Sequence, residues 1–283
     1  MTGPVAALLP DGARLHLQHG PIDLIIGADG DRAGAFDAAA ARFRTLLDEL
    51  VAELPLLRSQ AGGQLRGEVA LRMERAVRPH RRFGFITPMA AVAGAVADRI
   101  LAAMQARAEI TRAYVNNGGD IALHLSGAAR FRMAIADPRN GDLGRIDLAA
   151  TDPVRGIATS GQGGRSLSRG IADAVTVLAR DSAAADAAAT LIANAVDLPG
   201  HAHIRRIPAR DADPDSDLGA RPVVCHVGAL SDGEIVRALA RGADLAVRMQ
   251  RSGLIHGAAL FLRGHARLAG LQRFQLERMA EHA

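Results

Sequence analysis

The feature that most constrains the fold of this chain is a predicted strand, turn and strand over residues 113–125. A short apolar run leads into the turn, and an alternating apolar and polar run follows it. The turn consists of Asn116, Asn117, Gly118, Gly119 and Asp120. Glycine lacks a Cβ, so it accepts positive φ and lets another group approach the backbone closely. The pattern predicts either an ordinary Asn–Gly hairpin turn or a turn that also carries part of a binding site.

The composition excludes several kinds of chemistry. All 34 basic residues of the 283-residue chain are arginine, and the formal net charge is only +4. Without lysine the protein cannot form a Schiff base, anchor pyridoxal phosphate or build a Walker loop. The arginines are interspersed with acids, aromatic residues make up 3% and tryptophan is absent. We therefore expect no nucleic-acid binding.

The single cysteine also limits the chemistry. Because Cys225 is alone, neither an internal disulfide nor a cysteine metal cluster can form. It lies in the apolar run 223–227, which predicts a small buried core residue rather than a nucleophile. The N-terminus does not resemble a signal peptide, and no uncharged apolar run approaches transmembrane length. We therefore expect a cytoplasmic protein that does not span a membrane.

The order of predicted elements indicates the α+β class. Strands are predicted over residues 15–19, 22–26, 131–136, 146–148 (a short edge strand), 155–159, 174–178, 223–227 and 254–262. Helices are predicted over residues 31–53, 69–77, 87–107, 182–196, 232–250 and 265–283, and residues 201–218 are expected to be irregular. Strands that adjoin one another, with helices between groups of strands, are typical of mixed or antiparallel sheets with packed helices. No linker or repeat interrupts the chain, which predicts a single domain over residues 1–283.

The predicted helix over residues 87–107 has the clearest start signal. Thr87 is the predicted N-cap and Pro88 the first helical residue. Residues 89–97 contain almost no polar side chain, which predicts burial on all sides. Within them Gly94 favours close packing or the approach of a ligand. Asp98, one turn later, is either a ligand-binding residue or makes a polar contact at the surface or within the helix.

Residues 156–170 form the segment best suited to hold an anion. Five glycines expose backbone N–H groups, while serine, threonine and arginine side chains add hydroxyls and charge. These are the groups that a phosphate or pyrophosphate needs. The alternative is a long flexible surface loop. The candidate ligand contacts are Thr159, Ser160, Gly161, Arg165 and Ser166.

A candidate metal site follows in the Ala-rich helix. Asp186 and Thr190 are four residues apart, so they share one helix face, which Asn194 extends. A carboxylate, a hydroxyl and a main-chain carbonyl make a hard oxygen site suited to Mg²⁺. The alternative is an exposed aspartate beside a threonine that bonds to the helix backbone.

Together these segments resemble the ApbE-like superfamily, whose best-known members are FAD:protein FMN transferases. The turn before Ile121 resembles the family's Asn-x-Gly-Gly-Asp-Ile segment, with Asn116 or Asn117 as the leading Asn, and Gly94 and Asp98 lie where the family has Gly-Tyr-Ala-x-Asp. Residues 158–161 resemble its Ala-Thr-Ser-Gly turn, and residues 185–190 resemble its Mg²⁺-binding helix. The resemblance covers roughly residues 85 to 195 and is closest to an uncharacterised cytoplasmic branch of the superfamily.

The resemblance implies that the protein binds FAD or FMN with Mg²⁺ on Asp186 and Thr190, and that a protein could be the acceptor. Two departures concern the reaction. Ala93 stands where the transferases have lysine, and residues 170–177 keep only Asp173 of their His-x-x-Asp-Pro-x-Thr-Gly stretch. Asp173 is therefore the one nearby acid that we nominate as a base.

Three hypotheses remain open at this point. The first is an FMN-transferase-like or pyrophosphate-cleaving enzyme that acts on a flavin or related nucleotide. The second is a non-catalytic cofactor-binding or assembly protein on the same fold. The third is an enzyme on a different small metabolite, in sulfur or cofactor metabolism. The sequence leaves open whether the protein forms a homodimer.

Overall fold

The computed structural model describes residues 3–60, 63–137, 141–164, 166–270 and 274–276. The strands are β1 (Val5–Leu8), β2 (Arg14–His19), β3 (Ile22–Gly30), β4 (Ile110–Asn117), β5 (Asp120–Leu125), β6 (Arg130–Asp137), β7 (Gly141–Ala149), β8 (Gly156–Ser160), β9 (Ala174–Ala179), β10 (Ile204–Pro208), β11 (Pro222–Val227), β12 (Gly257–Leu262), β13 (His265–Gly270) and β14 (Phe274–Leu276). The α-helices are α1 (Arg32–Ala52), α2 (Leu54–Leu57), α3 (Glu68–Val77), α4 (Val92–Gln105), α5 (Ser182–Ala195), α6 (Ala209–Ala212) and α7 (Asp232–Arg251). Two 3₁₀ segments, Arg78–Phe83 and Pro88–Ala91, precede α4.

The chain divides into two compact units. The first comprises Met1–Arg130, Ala149–Ala158 and Ala179–Ala187; the second comprises Phe131–Leu148, Thr159–Leu178 and Ala188–Ala283. Both contain antiparallel strands and helices, which confirms the predicted α+β class. The single domain stays a prediction.

The first unit is built on an antiparallel sheet in the order β1-β2-β3-β4-β5-β8. Helix α4 packs against α1 and against strands β4 and β5. The side chains of Phe43, Leu46, Ile100 and Met104 are fully buried on these helices. Apolar residues at three- and four-residue spacings account for this arrangement, because they place one stripe of each helix toward the core.

The second unit contains three groups of strands. Strands β9, β12 and β13 pair in that order, β10 pairs with β11, and β7 lies between β14 and β6. Helix α7 packs against β12 and β13. It begins with a capping box, in which the Ser231 side chain accepts from the backbone of Glu234 and the Glu234 side chain accepts from the backbone of Ser231.

Several predictions about local structure are wrong. Strand β7 is nine residues long and central in its sheet, not a short edge strand. Residues 265–270 and 274–276 are strands and not the predicted helix, because β13 turns back to pair with β12. The supposedly irregular residues 201–218 contain β10 and α6. The predicted start is confirmed, since Thr87 is the N-cap and Pro88 the first helical residue, but the first turn, Pro88–Ala91, is a 3₁₀ segment and the Thr87 side chain makes no capping bond.

The prediction that Cys225 is buried is also wrong. Its side chain is exposed, and the thiol lies 3.4 Å from the carbonyl oxygen of Arg205. Strand β11 belongs to a two-stranded ribbon, and Val223 and Val224 are the residues that it buries. An apolar run therefore did not specify which of its members faces the core.

Within the described residues, no single helix has the length and apolar character needed to cross a bilayer. One bent pair of helical segments, Glu68–Phe83 and Pro88–Gln105, meets that test of length and composition jointly, with a bend of 113°.

Candidate functional site

The predicted strand, turn and strand is confirmed as the β4–β5 hairpin. Asn117 pairs with Asp120 across a two-residue turn in which Gly118 and Gly119 have φ of 64° and 109°. These positive angles are why glycine is needed at both positions. The Asn116 carboxamide oxygen accepts the N–H of Gly119 at 2.9 Å, so it holds the turn closed. The predicted roles of this turn in ligand binding stay predictions.

The hairpin is tied to the start of helix α4 by Asn117. This side chain is only 4% exposed, and its amide nitrogen donates to the carbonyl oxygen of Ala93 at 3.1 Å. The bond joins residues that are 24 positions apart in the sequence. The turn that contains Asn117 and the segment that contains Gly94 both resemble the superfamily, and they are in direct contact in the first unit.

Helix α5 reaches the same point through Asp186. The Asp186 carboxylate accepts the N–H of Gly94 at 3.1 Å, and the N–H of Ala93 also bonds to it. A Cβ on Gly94 would lie 2.3 Å from the carbonyl oxygen of Ser182. Glycine is therefore required at position 94 because the starts of α4 and α5 cross at very short distance.

Asp98 makes the converse contact. Its two carboxylate oxygens accept the N–H groups of Ser182 and Ala183, at 3.0 and 3.1 Å. Each helix thus supplies a carboxylate that satisfies backbone donors in the first turn of the other, where an α-helix has no acceptors of its own. We call these contacts of Asp98 and Asp186 the crossed caps. The observed contacts of Asp98 are structural, and its role in cofactor binding stays a prediction.

The crossed caps place two carboxyl groups in a poorly solvated region. Burial raises the pKa of Asp98 to about 7, and the negative charge of Asp181 adds to the rise. Burial also raises the pKa of Asp186 to about 7, although the N–H groups of Gly94 and Ala93 favour its ionised form. A cation beside Asp186 would offset the cost of ionising it there.

The other groups available to a metal are oxygen donors. Thr190 lies one turn beyond Asp186 on α5 and is partly exposed. The part of the chain that the structure describes holds no group of three or more His, Cys, Asp or Glu side chains able to bind a metal. A metal at Asp186 would therefore depend on hydroxyl, carbonyl and water oxygens, a donor set that fits Mg²⁺.

The glycine-rich loop belongs largely to the second unit, and many of its backbone donors are already used. The N–H groups of Gln162, Gly163 and Gly164 donate to the carbonyl oxygens of Ala172, Asp173 and Gly161, at 2.8, 3.1 and 3.1 Å. The Arg169 N–H donates to the Asn194 side chain at 2.9 Å, so Asn194 anchors the loop. The Gly170 N–H bonds to the Ser168 hydroxyl at 3.3 Å. A ligand would therefore depend more on the hydroxyl groups of the loop than on these donors.

Among the loop's candidate contacts, Thr159 shares a 2.9 Å hydrogen bond with the hydroxyl of Thr176. Gly161 has φ of 145°, and a Cβ there would lie 2.6 Å from the carbonyl oxygen of Asp173. Ser160 is partly exposed and Ser166 is exposed. Arg165 lies outside the described residues. Anion binding by this loop stays a prediction.

Asp173, the nominated base, is 7% exposed and holds a neighbouring turn. Its carboxylate accepts the N–H of Arg263 at 2.5 Å. Arg263 follows β12 and has φ of 48°, the one positive φ at a non-glycine residue in the described ranges. The carboxylate therefore stabilises a backbone conformation that arginine rarely adopts. Its catalytic role stays a prediction.

Two residues of this region were missed by sequence reasoning. The Asp181 side chain accepts the N–H of Ala184 at 2.8 Å, and Ser182, fully buried, supplies one donor of the crossed caps. An Asp-Ser pair in front of an Ala-rich helix is a local N-cap signal that could have located both. The start of α4, which is the other half of the crossed caps, carries no such N-cap signal in the sequence.

The sequence is similar to a known family and to several known proteins. The profile of the family described as AbpE bacteria matches residues 6–268. A UPF0280 protein of Methanopyrus kandleri is 37% identical over 183 residues, which cover 61% of this chain and 69% of that protein. UPF0280 proteins of Methanosphaerula palustris and Methanocaldococcus jannaschii are 43% and 39% identical over 113 residues, which cover 39% of this chain and 47% and 45% of those proteins. The chain matches about half of the length of each of these two relatives.

The matches to solved structures are more distant. The apo flavinyl transferase ApbE of Pseudomonas stutzeri is 11% identical with a TM-score of 0.43, over 97% of this chain and 94% of that one. A variant of the flavin transferase ApbE from Vibrio cholerae is 14% identical with a TM-score of 0.46, over 96% of this chain and 98% of that one.

Proposed function

Because this chain belongs to the family described as AbpE bacteria, within the ApbE-like superfamily, we propose that it binds a flavin nucleotide, FAD or FMN, together with Mg²⁺. The observation that supports the proposal is the meeting of three distant segments at the start of α4. Gly94 bonds to Asp186, 92 residues away, and Asn117 bonds to Ala93. These are the segments in which the chain resembles the superfamily.

The residues at this point fit a magnesium ion. Asp186 is a poorly solvated carboxyl with a raised pKa, and Thr190 adds a hydroxyl on the same helix face. Mg²⁺ is commonly held by one or two carboxylates while it keeps several waters and binds a substrate phosphate. When bound, the ion would supply positive charge that neutralises the pyrophosphate of FAD. Asp186 and Thr190 would fix its position. Ser160 and Ser166 are separate candidates for contacts to a phosphate.

The reaction is a separate matter from binding. In the superfamily reaction a nucleophile on an acceptor attacks the FMN phosphorus of FAD and AMP leaves. Here Ala93 replaces the expected lysine, and the Asp173 carboxylate already accepts the backbone N–H of Arg263. These two observations favour a second candidate, a cofactor-binding or assembly protein that does not transfer FMN. The cytoplasm remains the expected location for either function.

The proposal is tested by titrating the metal-stripped protein with FAD, followed by flavin fluorescence, with and without Mg²⁺. We expect Mg²⁺ to strengthen binding at least tenfold in the wild type. We expect this factor to fall to about one in Asp186→Asn and to be reduced in Thr190→Val, which removes only the hydroxyl. The matched control is Asp48→Asn, at an exposed site on α1. Circular dichroism checks that each variant is folded.

Three outcomes separate the hypotheses. Equal enhancement by Mg²⁺ in the wild type and Asp186→Asn would remove the metal assignment. No FAD or FMN binding by the wild type would refute the proposed ligand and favour another small metabolite. If FAD binds, Mg²⁺-dependent release of AMP in the presence of a protein acceptor supports transfer, whereas tight binding without AMP release supports the second candidate.

A further inference from the structure

An open surface cavity of about 510 Å³ lies in the second unit. One wall is the turn over residues 197–201, which follows α5, and the other is formed by Arg237, Ala240 and Arg241 of helix α7. Leu198, Pro199 and Ala240 make part of its surface apolar. The volume is that of a site for a small molecule.

The acidic groups beside this cavity are already paired. Asp197 lies 2.5 Å from the Arg206 guanidinium, and both side chains are largely buried. Burial raises the pKa of Asp197, while the charges of Arg206 and Arg241 oppose that rise. Glu234 accepts from the His201 ring at 2.9 Å and from the backbone N–H of Ser231 at 2.8 Å. Asp197 and Glu234 therefore have other close partners, and neither forms a close ion pair with Arg237 or Arg241.

The two arginines of that wall carry the inference. Arg237 and Arg241 are exposed and four residues apart, so they project from the same face of α7. Within the described ranges, neither guanidinium makes a hydrogen bond or a close ion pair, although the charge of Arg241 acts on Asp197 at longer range. Like charges at this spacing destabilise a helix by about 0.2–0.5 kcal/mol. The repulsion between the two arginines is unfavourable in the free protein. A bound anion would attract both arginines and so make their proximity favourable.

We propose that this cavity binds a phosphate monoester, with the phosphate between Arg237 and Arg241. Guanidinium groups form bidentate, charge-assisted bonds to phosphate oxygens. A phosphate monoester carries close to two negative charges at neutral pH, which matches two arginines, whereas a carboxylate carries one. Leu198, Pro199 and Ala240 offer an apolar surface to the organic part of the ligand. The turn is held in place by the His201–Glu234 contact, so the site is formed before binding.

The test uses phenyl phosphate as the probe, because it joins a phosphate dianion to an apolar ring. Binding to the full chain is measured by calorimetric titration at low salt, with benzoate and phenol as comparison ligands. We expect saturable binding of phenyl phosphate, at least tenfold weaker binding of benzoate and none of phenol. Arg237→Gln and Arg241→Gln should each weaken phenyl phosphate binding at least tenfold, and the double variant should abolish it.

The matched control is Arg251→Gln, which removes the same charge from the last turn of α7, outside the cavity. Glutamine is a good helix former, so these variants are expected to fold, and thermal melting checks this. The proposal is overturned if phenyl phosphate does not saturate, if the double variant still binds, or if Arg251→Gln weakens binding as much as the cavity variants. Asp186→Asn should leave this binding unchanged, which separates the result from the proposed flavin site.

Discussion

Replacing Gly94 with alanine tests how closely helices α4 and α5 depend on each other. The new Cβ would lie 2.3 Å from the Ser182 carbonyl oxygen, 2.5 Å from its carbonyl carbon and 2.7 Å from the Ala183 nitrogen. All three are backbone atoms, so a side-chain rotation cannot relieve the contact. The helices would have to move apart by about 1 Å to restore ordinary contact distances.

The expected cost follows from three contributions. Overpacking of this kind costs about 1–3 kcal/mol. The displacement would also lengthen the crossed-cap bonds, now 3.0–3.1 Å, and a weakened buried hydrogen bond costs about 1 kcal/mol. Against this, alanine gains about 1 kcal/mol over glycine within a helix. The overpacking and the weakened hydrogen bonds together outweigh this gain, so we expect Gly94→Ala to lower the free energy of unfolding by about 1–3 kcal/mol.

The assay is urea unfolding followed by far-ultraviolet circular dichroism, since the chain has no tryptophan. The control is Gly233→Ala in the first turn of α7, where the nearest atom to a new Cβ is the end of the Arg237 side chain at 3.7 Å. This variant should be neutral or more stable by up to about 1 kcal/mol. If Gly94→Ala behaves like Gly233→Ala, the close crossing of the two helices is refuted.

Three further predictions concern single side chains. Burial raises the pKa of Asp98 from 3.8 to about 7, so the stability that this carboxyl contributes is full below about pH 4 and is lost as the pH rises through about 7. Urea unfolding between pH 5 and 8 should therefore show a smaller loss in Asp98→Asn than in the wild type; an equal loss contradicts the assignment. Asn117→Ala removes the side-chain donor that bonds to the Ala93 carbonyl and should cost about 1–2 kcal/mol in the same assay, and a change below 0.5 kcal/mol would count against the tether. Cys225 is exposed, so Ellman's reagent should label one thiol per chain in the folded protein, whereas labelling only in urea would show it to be buried.

The parts of the fold that could be predicted from sequence are those with a strong local signal. The β4–β5 hairpin follows from its glycine turn, and α5 follows from an Ala-rich run that ends before Pro199-Gly200. The failures have local explanations too. The apolar run around Cys225 predicts the strand but not which of its faces is buried. A helix is predicted over residues 265–283, whereas residues 265–270 pair with β12.

The candidate site was predictable only in part, because its contacts join distant segments. Asp98 and Asp186 were singled out, but nothing local to either residue indicates that its partner is the first turn of the other helix. Those bonds connect residues 84 to 92 positions apart. Backbone donors at a helix start look the same in every sequence, so the acceptor that satisfies them is known only once the helices are packed.

The crossed caps also have a consequence for the motions of the protein. If the first turn of α5 frays, Asp98 loses its donors and Asp186 moves away from the amides of α4, so the two helix ends should open together. In hydrogen exchange, the amides of residues 93, 94, 182 and 183 should then share one opening free energy despite their separation in the chain. A ligand that binds at either helix end should slow exchange at both.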